Sequence, residues 1–211
     1  MVKIVLIRHG ETDYNRENRV QGQLNTTLTP EGLEQAEAVT DWVAEHYAID
    51  AIYSSDLNRS VNTAKPLAER LGLPIHTTKE LRELHLGLWQ GLLYTDAVER
   101  FPETARKRKE DPGNTRYEEG ESYCDLMNRA TKEMDRIAKE NDGKTIAVYS
   151  HGGTIRAMIC AWLGIPIKDI LTVPPIPNTA VNVLTYENGK VEFLLRNSVE
   201  HTQNAKAAFA E

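Results

Sequence analysis

Two apolar stretches of this 211-residue chain stop in the same way, each at a histidine followed by glycine. Val2–Ile7 runs into Arg8-His9-Gly10, and Lys144–Tyr149 runs into Ser150-His151-Gly152. Runs rich in β-branched residues predict strands that are buried on both faces of a mostly parallel sheet. Because ligands gather at the carboxyl ends of strands in open α/β sheets, we expect both histidines at one ligand-binding edge.

The rest of the chain alternates between extended and helical patterns. Thr29-Pro30 is a typical helix start, and Asn188-Gly189 between two alternating segments predicts a C-terminal β-hairpin. A helix capped by Ser55 or Asp56 is expected to place Arg59 in its first turn, at the edge where the histidines lie. The predicted strands cover about 2–7, 49–55, 75–77, 144–150, 180–186 and 190–196, and the predicted helices about 29–45, 56–71, 92–108, 122–141 and 155–163.

These elements predict an α/β three-layer sandwich with a mostly parallel central sheet, helices on both faces and a C-terminal β-hairpin. Two helical segments lie between the third and fourth strands, and we interpret residues 92–141 as an inserted helical lid on a single domain over 1–211. The length suits one domain with a full core. The polar tail from Asn197 is expected to be partly mobile.

Composition and charge disfavour several classes of protein. The net charge of -6 argues against a nucleic-acid partner. The basic run Arg106–Lys109 precedes Glu110 and Asp111, which favours a solvated helix face, although the run could also extend toward a second anionic group on a substrate. Cys124 and Cys160 lack zinc or redox spacing. Because we find neither a membrane span nor a signal peptide, we expect a cytoplasmic protein without a membrane partner.

The residues that follow the predicted strands suit a tetrahedral dianion. Arg8 and Arg59 carry planar guanidinium groups that match phosphate oxygens. The helix after His151 adds backbone N–H groups and the positive end of its dipole, and Gly10 lets the backbone approach a ligand or turn sharply. A metal site at His9 and His151 is disfavoured, because no HxxxH pattern or acidic cluster accompanies them and two arginines would repel a cation. We therefore expect a phosphate site with no metal and no cofactor.

Taken together, these motifs resemble the histidine phosphatase superfamily, in the branch of cofactor-dependent phosphoglycerate mutases and related phosphatases. The resemblance covers nearly the whole chain. The matching elements are Arg8-His9-Gly10-Glu11-Thr12, Ser54–Ser60 with Thr63-Ala64, Glu83 with Gly87, Trp89 and Gly91, Gly120-Glu121-Ser122, and Ser150-His151-Gly152-Gly153.

The resemblance implies catalytic roles for His9, Arg8, Arg59, His151 and Glu83. His9 would be the nucleophile and would be transiently phosphorylated. Arg8, Arg59 and His151 would hold the phosphoryl oxygens. Glu83 would protonate the departing alkoxide and then activate water. The expected substrate contacts are Arg8, Asn15, Arg59, His151 and Gly152.

The sequence of the acidic loop, Glu83–Gly91, helps to distinguish a phosphatase from a mutase. Glu80 is a rival for the acid, but only Glu83 keeps the family's spacing to Gly87. The loop reads Glu-Leu-His-Leu-Gly, whereas the mutases read roughly Glu-Arg-His-Tyr-Gly, and this favours hydrolysis of a small phosphorylated metabolite over a phosphoglycerate mutase. A non-catalytic phospholigand-binding protein is disfavoured because both His9 and Glu83 are present. The sequence leaves the substrate open, and it is compatible with a homodimer.

Overall fold

The sheet has six strands in the order β3-β2-β4-β1-β5-β6 in the computed structural model, which describes residues 1–202. The strands are β1 Val2–Arg8, β2 Ala51–Ser55, β3 Ile75–Thr78, β4 Thr145–Ser150, β5 Val181–Glu187 and β6 Lys190–Ser198. The first four strands pair in parallel, and β5 and β6 form an antiparallel hairpin beside β1. The mostly parallel sheet and the C-terminal hairpin are therefore confirmed. Of the tail predicted to be mobile, Asn197 and Ser198 belong to β6, and 203–211 lie outside the described residues.

The helices are α1 Asp13–Arg16, α2 Pro30–His46, α3 Asn58–Leu71, α4 Tyr94–Arg100, α5 Pro102–Glu110, α6 Tyr123–Glu140 and α7 Gly152–Leu163. The helix predicted over 92–108 is in fact two helices, because Pro102 has no N–H to continue the hydrogen-bond ladder. The helix after β4 begins three residues earlier than predicted, at Gly152.

The predicted cap of α3 is wrong. The residue at the cap position is Leu57, which makes no side-chain cap hydrogen bond. The Ser55 hydroxyl instead lies 2.8 Å from a ring nitrogen of His151, and the Asp56 carboxylate pairs with Arg82 at 2.6 Å. The Ser55 hydroxyl also accepts from the backbone N–H of Leu57 at 3.3 Å, but neither Ser55 nor Asp56 occupies the cap position.

The sheet has a helical layer on each face. On β1, Ile4 and Leu6 point to the side where they share a core with Leu126 of α6. Val5 and Ile7 point to the other side, where they pack with Val39 of α2. Because alternate residues of a central strand face opposite sides, this arrangement explains the continuous apolar run and confirms the three-layer sandwich.

The chain between β3 and β4 contains parts with different packing. The α6 helix packs on α7, and Leu126, Ala130, Met134 and Ile137 are fully buried in the main core. Burial of each of the three larger side chains, Leu126, Met134 and Ile137, contributes about 1.5–3 kcal/mol. The α4 and α5 helices instead contact each other. Over residues 1–202, we find no helix with the length and apolar character needed to cross a membrane.

Candidate active site

The two strand-end histidines lie next to each other at the carboxyl edge of the sheet. Pairing of β1 with β4 sets Arg8 opposite Ser150, and the backbone N–H of His9 donates to the Ser150 carbonyl at 3.0 Å. The ring centroids of His9 and His151 are 5.2 Å apart. Both rings are buried, with 2% and 0% of their residue surfaces exposed. The parallel register thus brings together the two residues that the sequence pattern singles out.

The hydrogen bonds of His9 define which nitrogen can react. Its Nδ1 lies 2.7 Å from the carbonyl oxygen of Gly10, which can only accept, so Nδ1 carries the proton. Its Nε2 accepts a hydrogen bond from Arg59 Nε at 3.2 Å. Burial, together with the charges of Arg59 and Arg8, holds the pKa of His9 well below its usual value. The ring is therefore neutral at physiological pH, and Nε2 carries the lone pair to which Arg59 donates in this structure.

The two arginines beside His9 are held rigidly by backbone carbonyls. Arg59 is 1% exposed, and its terminal nitrogens donate to the carbonyl oxygens of Leu24 and Gly22, each at 2.8 Å. Arg8 Nη1 donates to the carbonyl of Ile176, and its buried Nε has no partner within residues 1–202. Burial lowers the pKa of each arginine to about 10, so both remain charged at neutral pH. Two fixed cations next to a neutral imidazole form a site for an anion.

His151 is positioned by Ser55, which the sequence pattern predicts as a possible helix cap. Its Nε2 lies 2.8 Å from Ser55 Oγ at the end of β2, while its Nδ1 is buried without a partner in the described part of the chain. Burial, then the charge of Arg59, lowers the pKa of His151 well below its usual value. A neutral ring with one unsatisfied buried nitrogen is a candidate contact for a phosphoryl oxygen.

The Glu83 carboxylate is anchored at the start of α7. Oε2 accepts from the backbone N–H of Gly153 and Oε1 from that of Leu84, each at 2.9 Å. A Cβ on Gly153 would lie only 2.5 Å from Oε1, so any side chain at this position would displace the Glu83 carboxylate. Glu83 lines the same cavity as His9, whereas the rival Glu80 is exposed and is absent from the cavity wall. The geometry therefore favours Glu83 as the acid.

The backbone of the acidic loop is tied to α6 by an arginine that sequence reasoning missed. The Arg129 guanidinium forms hydrogen bonds with both oxygens of Glu121, at 2.8 and 2.9 Å. Glu121 in turn accepts from the backbone N–H of His85 at 2.9 Å. Arg129 also donates at 2.7–2.8 Å to the carbonyl oxygens of Glu80, Arg82 and Glu83. No local sequence pattern predicts these hydrogen bonds, because Arg129 lies eight residues after Glu121 and 46 residues after Glu83.

Asn15 and the two strand-end glycines complete the expected set. Asn15 lines the cavity, and its side-chain oxygen accepts from the backbone N–H of Thr12 at 3.2 Å, which leaves its Nδ2 as the group that could donate to a ligand. A Cβ on Gly152 would lie 3.4 Å from Arg8 Nε. A Cβ on Gly10 would lie 2.6 Å from the carbonyl of Gly32, so Gly10 serves the packing of α2 rather than approach to a ligand.

A cavity of about 1030 Å³ extends outward from His9. Its wall also includes Tyr94, Arg108, Tyr117 and Tyr123, from the chain between β3 and β4. The arginines of the basic run 106–109 therefore lie in different environments. Arg106 is exposed and pairs with Glu110 at 2.6 Å, as expected of a solvated face, whereas Arg108 turns toward the cavity.

Because three histidines have a lowered pKa in the folded protein, we predict that acid destabilises the fold. Burial lowers the pKa of His9 and His151, and it lowers that of His201 to about 4. Below about pH 6.5 the unfolded chain binds protons that the folded chain does not, so the free energy of unfolding should fall by up to about 1.4 kcal/mol per pH unit for each such histidine. Urea denaturation at pH 7.5, 6.5 and 5.5 measures this slope. His201→Gln, which removes one of the three, should make it shallower; a wild-type stability that is constant over this range would contradict the assignment.

Within residues 1–202, no group of three or more histidine, cysteine or acidic side chains is arranged to hold a metal ion.

Comparison with known proteins identifies the family of this chain. A model of the histidine phosphatase superfamily (branch 1) matches residues 4–199. Phosphoserine phosphatase 1 of Hydrogenobacter thermophilus is 34% identical over 168 residues, which are 80% of this chain and 79% of that protein.

Two further relatives extend the comparison. Phosphoglycerate mutase-like protein 4 of Arabidopsis thaliana is 37% identical over 194 residues, covering 89% of this chain and 80% of that protein. The structure of a mycobacterial glucosyl-3-phosphoglycerate phosphatase with VO3 superposes with a TM-score of 0.83 at 30% identity, covering 93% of this chain and 98% of that chain. The family match over nearly the full length, together with the paired histidines and arginines, shows that this chain belongs to branch 1 of the histidine phosphatase superfamily.

Proposed function

We propose that this protein hydrolyses small phosphomonoesters through a phosphohistidine formed on His9. The observation that carries the proposal is the neutral His9 ring, whose Nε2 accepts from Arg59 in a cavity also lined by Arg8 and Glu83. Nε2 attacks phosphorus, the P–O bond to the leaving group breaks, and Glu83 gives its proton to the departing alkoxide. Water then attacks phosphorus, Glu83 takes the water's proton, and the P–N bond breaks to release phosphate and restore His9.

The neighbouring groups stabilise the charge that moves onto the phosphoryl oxygens. Arg8 and Arg59 are buried cations that need no rearrangement before the reaction, and His151 adds its unsatisfied Nδ1. Such preorganised donors act strongly in a dry site, and the loss of one typically costs about 10²–10³ in rate. Asn15 and the Gly152 turn would supply further contacts to the phosphate.

Hydrolysis is favoured over phosphoglycerate isomerisation by the wall of the cavity. Leu84 and Leu86, which stand where the mutase motif has arginine and tyrosine, both line it. An apolar wall offers no donors to a phosphoglycerate carboxylate at these two positions. Two of the relatives are named phosphatases, for phosphoserine and for glucosyl-3-phosphoglycerate, while the Arabidopsis protein has only a mutase-like name.

The alternatives separate in one assay. The protein is incubated with 3-phosphoglycerate and catalytic 2,3-bisphosphoglycerate, and both phosphate and 2-phosphoglycerate are measured over time. We expect phosphate release to exceed isomerisation, because Leu84 and Leu86 offer no hydrogen-bond donors that would hold a phosphoglycerate while it reorients. Isomerisation faster than phosphate release would assign the protein as a mutase, and binding of phosphomonoesters without turnover of any, p-nitrophenyl phosphate included, would assign it as a phospholigand-binding protein.

We further propose a single domain with a helical lid inserted at about 92–141, in which α4, α5 and the loop after them contribute Tyr94, Arg108 and Tyr117 to the cavity wall and α6 anchors the insertion in the main core. The physiological substrate in this proposal is a small phosphorylated metabolite. The cytoplasmic location and the homodimer stay predictions from the sequence, and cell fractionation and light scattering test them.

A further inference from the structure

Arg108 sits in the cavity wall between two aromatic rings. Its guanidinium carbon lies 5.6 Å from the ring centroid of Trp89 and 5.1 Å from that of Tyr117. Its Nε is buried and has no hydrogen-bond partner in the part of the chain that the structure describes. Trp89 itself is fixed, because its Nε1 donates to Glu118 at 2.9 Å. The two rings thus hold the guanidinium in place by cation–π attraction without satisfying its hydrogen-bonding capacity.

Two of the other three basic side chains in the run 106–109 have acidic partners, and the third, Lys109, is exposed to solvent. Arg106 pairs with Glu103 at 3.0 Å and with Glu110 at 2.6 Å. Lys107 pairs with Glu103 at 3.5 Å. Among residues 1–202, Arg108 forms no ion pair within 4.0 Å, although it lies on the same helix. Its separate orientation, toward the cavity and away from these glutamates, is therefore a feature of the site and not of the helix surface.

The cavity wall also carries two carboxylates, and both act on other arginines. Glu17 pairs with Arg19 at 2.6 Å, and the charge of Glu83 acts on Arg8 and Arg59, which flank His9. In the described part of the chain, neither carboxylate forms an ion pair with Arg108 within 4.0 Å.

The ionisable groups around Arg108 are phenols, of Tyr94, Tyr117 and Tyr123. Burial raises the pKa of Tyr117 and of Tyr123, so both stay neutral at physiological pH. Neutral phenols can donate hydrogen bonds to an anion but cannot balance the charge of the guanidinium. A ligand must supply the negative charge.

We propose that Arg108 binds a carboxylate carried by the leaving group, so that the preferred substrates are phosphomonoesters of carboxylate-bearing alcohols or phenols. The inference rests on the proposed function. One guanidinium matches one carboxylate in charge and can bind it through two parallel hydrogen bonds, whereas the dianionic phosphoryl group at His9 is met by two arginines. The aromatic walls exclude water and so strengthen the attraction.

The test compares 4-carboxyphenyl phosphate with 4-carbamoylphenyl phosphate, which have nearly the same size and differ in one charge. The readout is the ratio of kcat/KM for the two compounds, in which any general loss of active protein cancels. We expect Arg108→Met to lower this ratio by about ten- to a hundredfold, the usual effect of a charge-assisted hydrogen bond. Methionine keeps an unbranched apolar stem against Trp89 and Tyr117. Arg108→Lys, which keeps the charge, should retain part of the preference.

Arg106→Met is the matched control, because Arg106 is exposed and lies on the same helix; its ratio should equal that of the wild type. A ratio that Arg108→Met leaves unchanged overturns the proposal and leaves Arg108 a structural residue. If 1,4-phenylene bisphosphate is preferred over 4-carboxyphenyl phosphate by much more than the statistical factor of about two, and Arg108→Met removes that preference, a second phosphate replaces the carboxylate and the proposal fails. If the wild type hydrolyses none of these esters, the proposed function itself fails.

Discussion

His9→Ala is expected to abolish hydrolysis of p-nitrophenyl phosphate, with kcat reduced by more than about 10⁴-fold. The variant removes the group to which we assign the covalent intermediate, and loss of a nucleophile leaves only the catalysis due to binding and electrostatics. A second measurement follows the intermediate directly. Rapid-quench labelling with a ³²P-phosphomonoester should give wild-type protein an acid-labile, alkali-stable label, as a P–N bond requires, and should give the variant none.

His46→Ala is the control for this experiment, because His46 is exposed at the end of α2 and should be replaceable without loss of activity. Binding of inorganic phosphate by the His9→Ala protein would show that Arg8 and Arg59 are still in place. Activity near the wild-type level, or an undiminished label in the variant, would refute the nucleophile assignment.

Glu83→Gln should act selectively on substrates whose leaving group needs a proton. Glutamine keeps the size of the side chain between Leu84 and Gly153 but cannot transfer a proton. For an alkyl ester such as β-glycerol phosphate we expect kcat/KM to fall by about 10²–10⁴-fold, the usual contribution of a general acid. For p-nitrophenyl phosphate the fall should be much smaller, because p-nitrophenolate is a weak base that leaves unprotonated. The measured quantity is kcat/KM, which reports the steps up to departure of the leaving group.

Glu80→Gln provides the matched control. Glu80 is three residues away, exposed, and outside the cavity wall, so its replacement should leave both substrates unaffected. Equal losses for the alkyl and the nitrophenyl ester in Glu83→Gln would contradict a role in proton transfer.

The features that local sequence predicts here are those that one strand or one turn determines. The ends of β1 and β4 could be identified because apolar β-branched runs stop abruptly at polar residues, and their parallel pairing then places His9 beside His151. The mostly parallel sheet, the C-terminal hairpin and the helical layers follow from the same patterns. The roles of His9, Glu83 and the two arginines stay predictions, which the geometry supports.

The features that the sequence does not predict depend on contacts between distant segments. Ser55 could equally cap a helix or hold His151, and only the approach of β2 to β4 decides between them. The basic run looks uniform in sequence, but Arg106 and Arg108 are two positions apart and therefore project to different sides of α5. Which side meets the cavity depends on how α5 is docked, and no periodicity records this.

The Arg129 link has a consequence for how such proteins acquire new substrates. Glu83 is held by α7 and, through its backbone, by α6, and both helices are embedded in the core. None of these hydrogen bonds involves residues 94–110, which form α4 and α5. The contacts that hold Glu83 are thus separate from α4 and α5, which contribute to the cavity wall. We therefore expect that exchange of residues 94–110 for those of a relative would change the preferred alcohol and leave Glu83 in place.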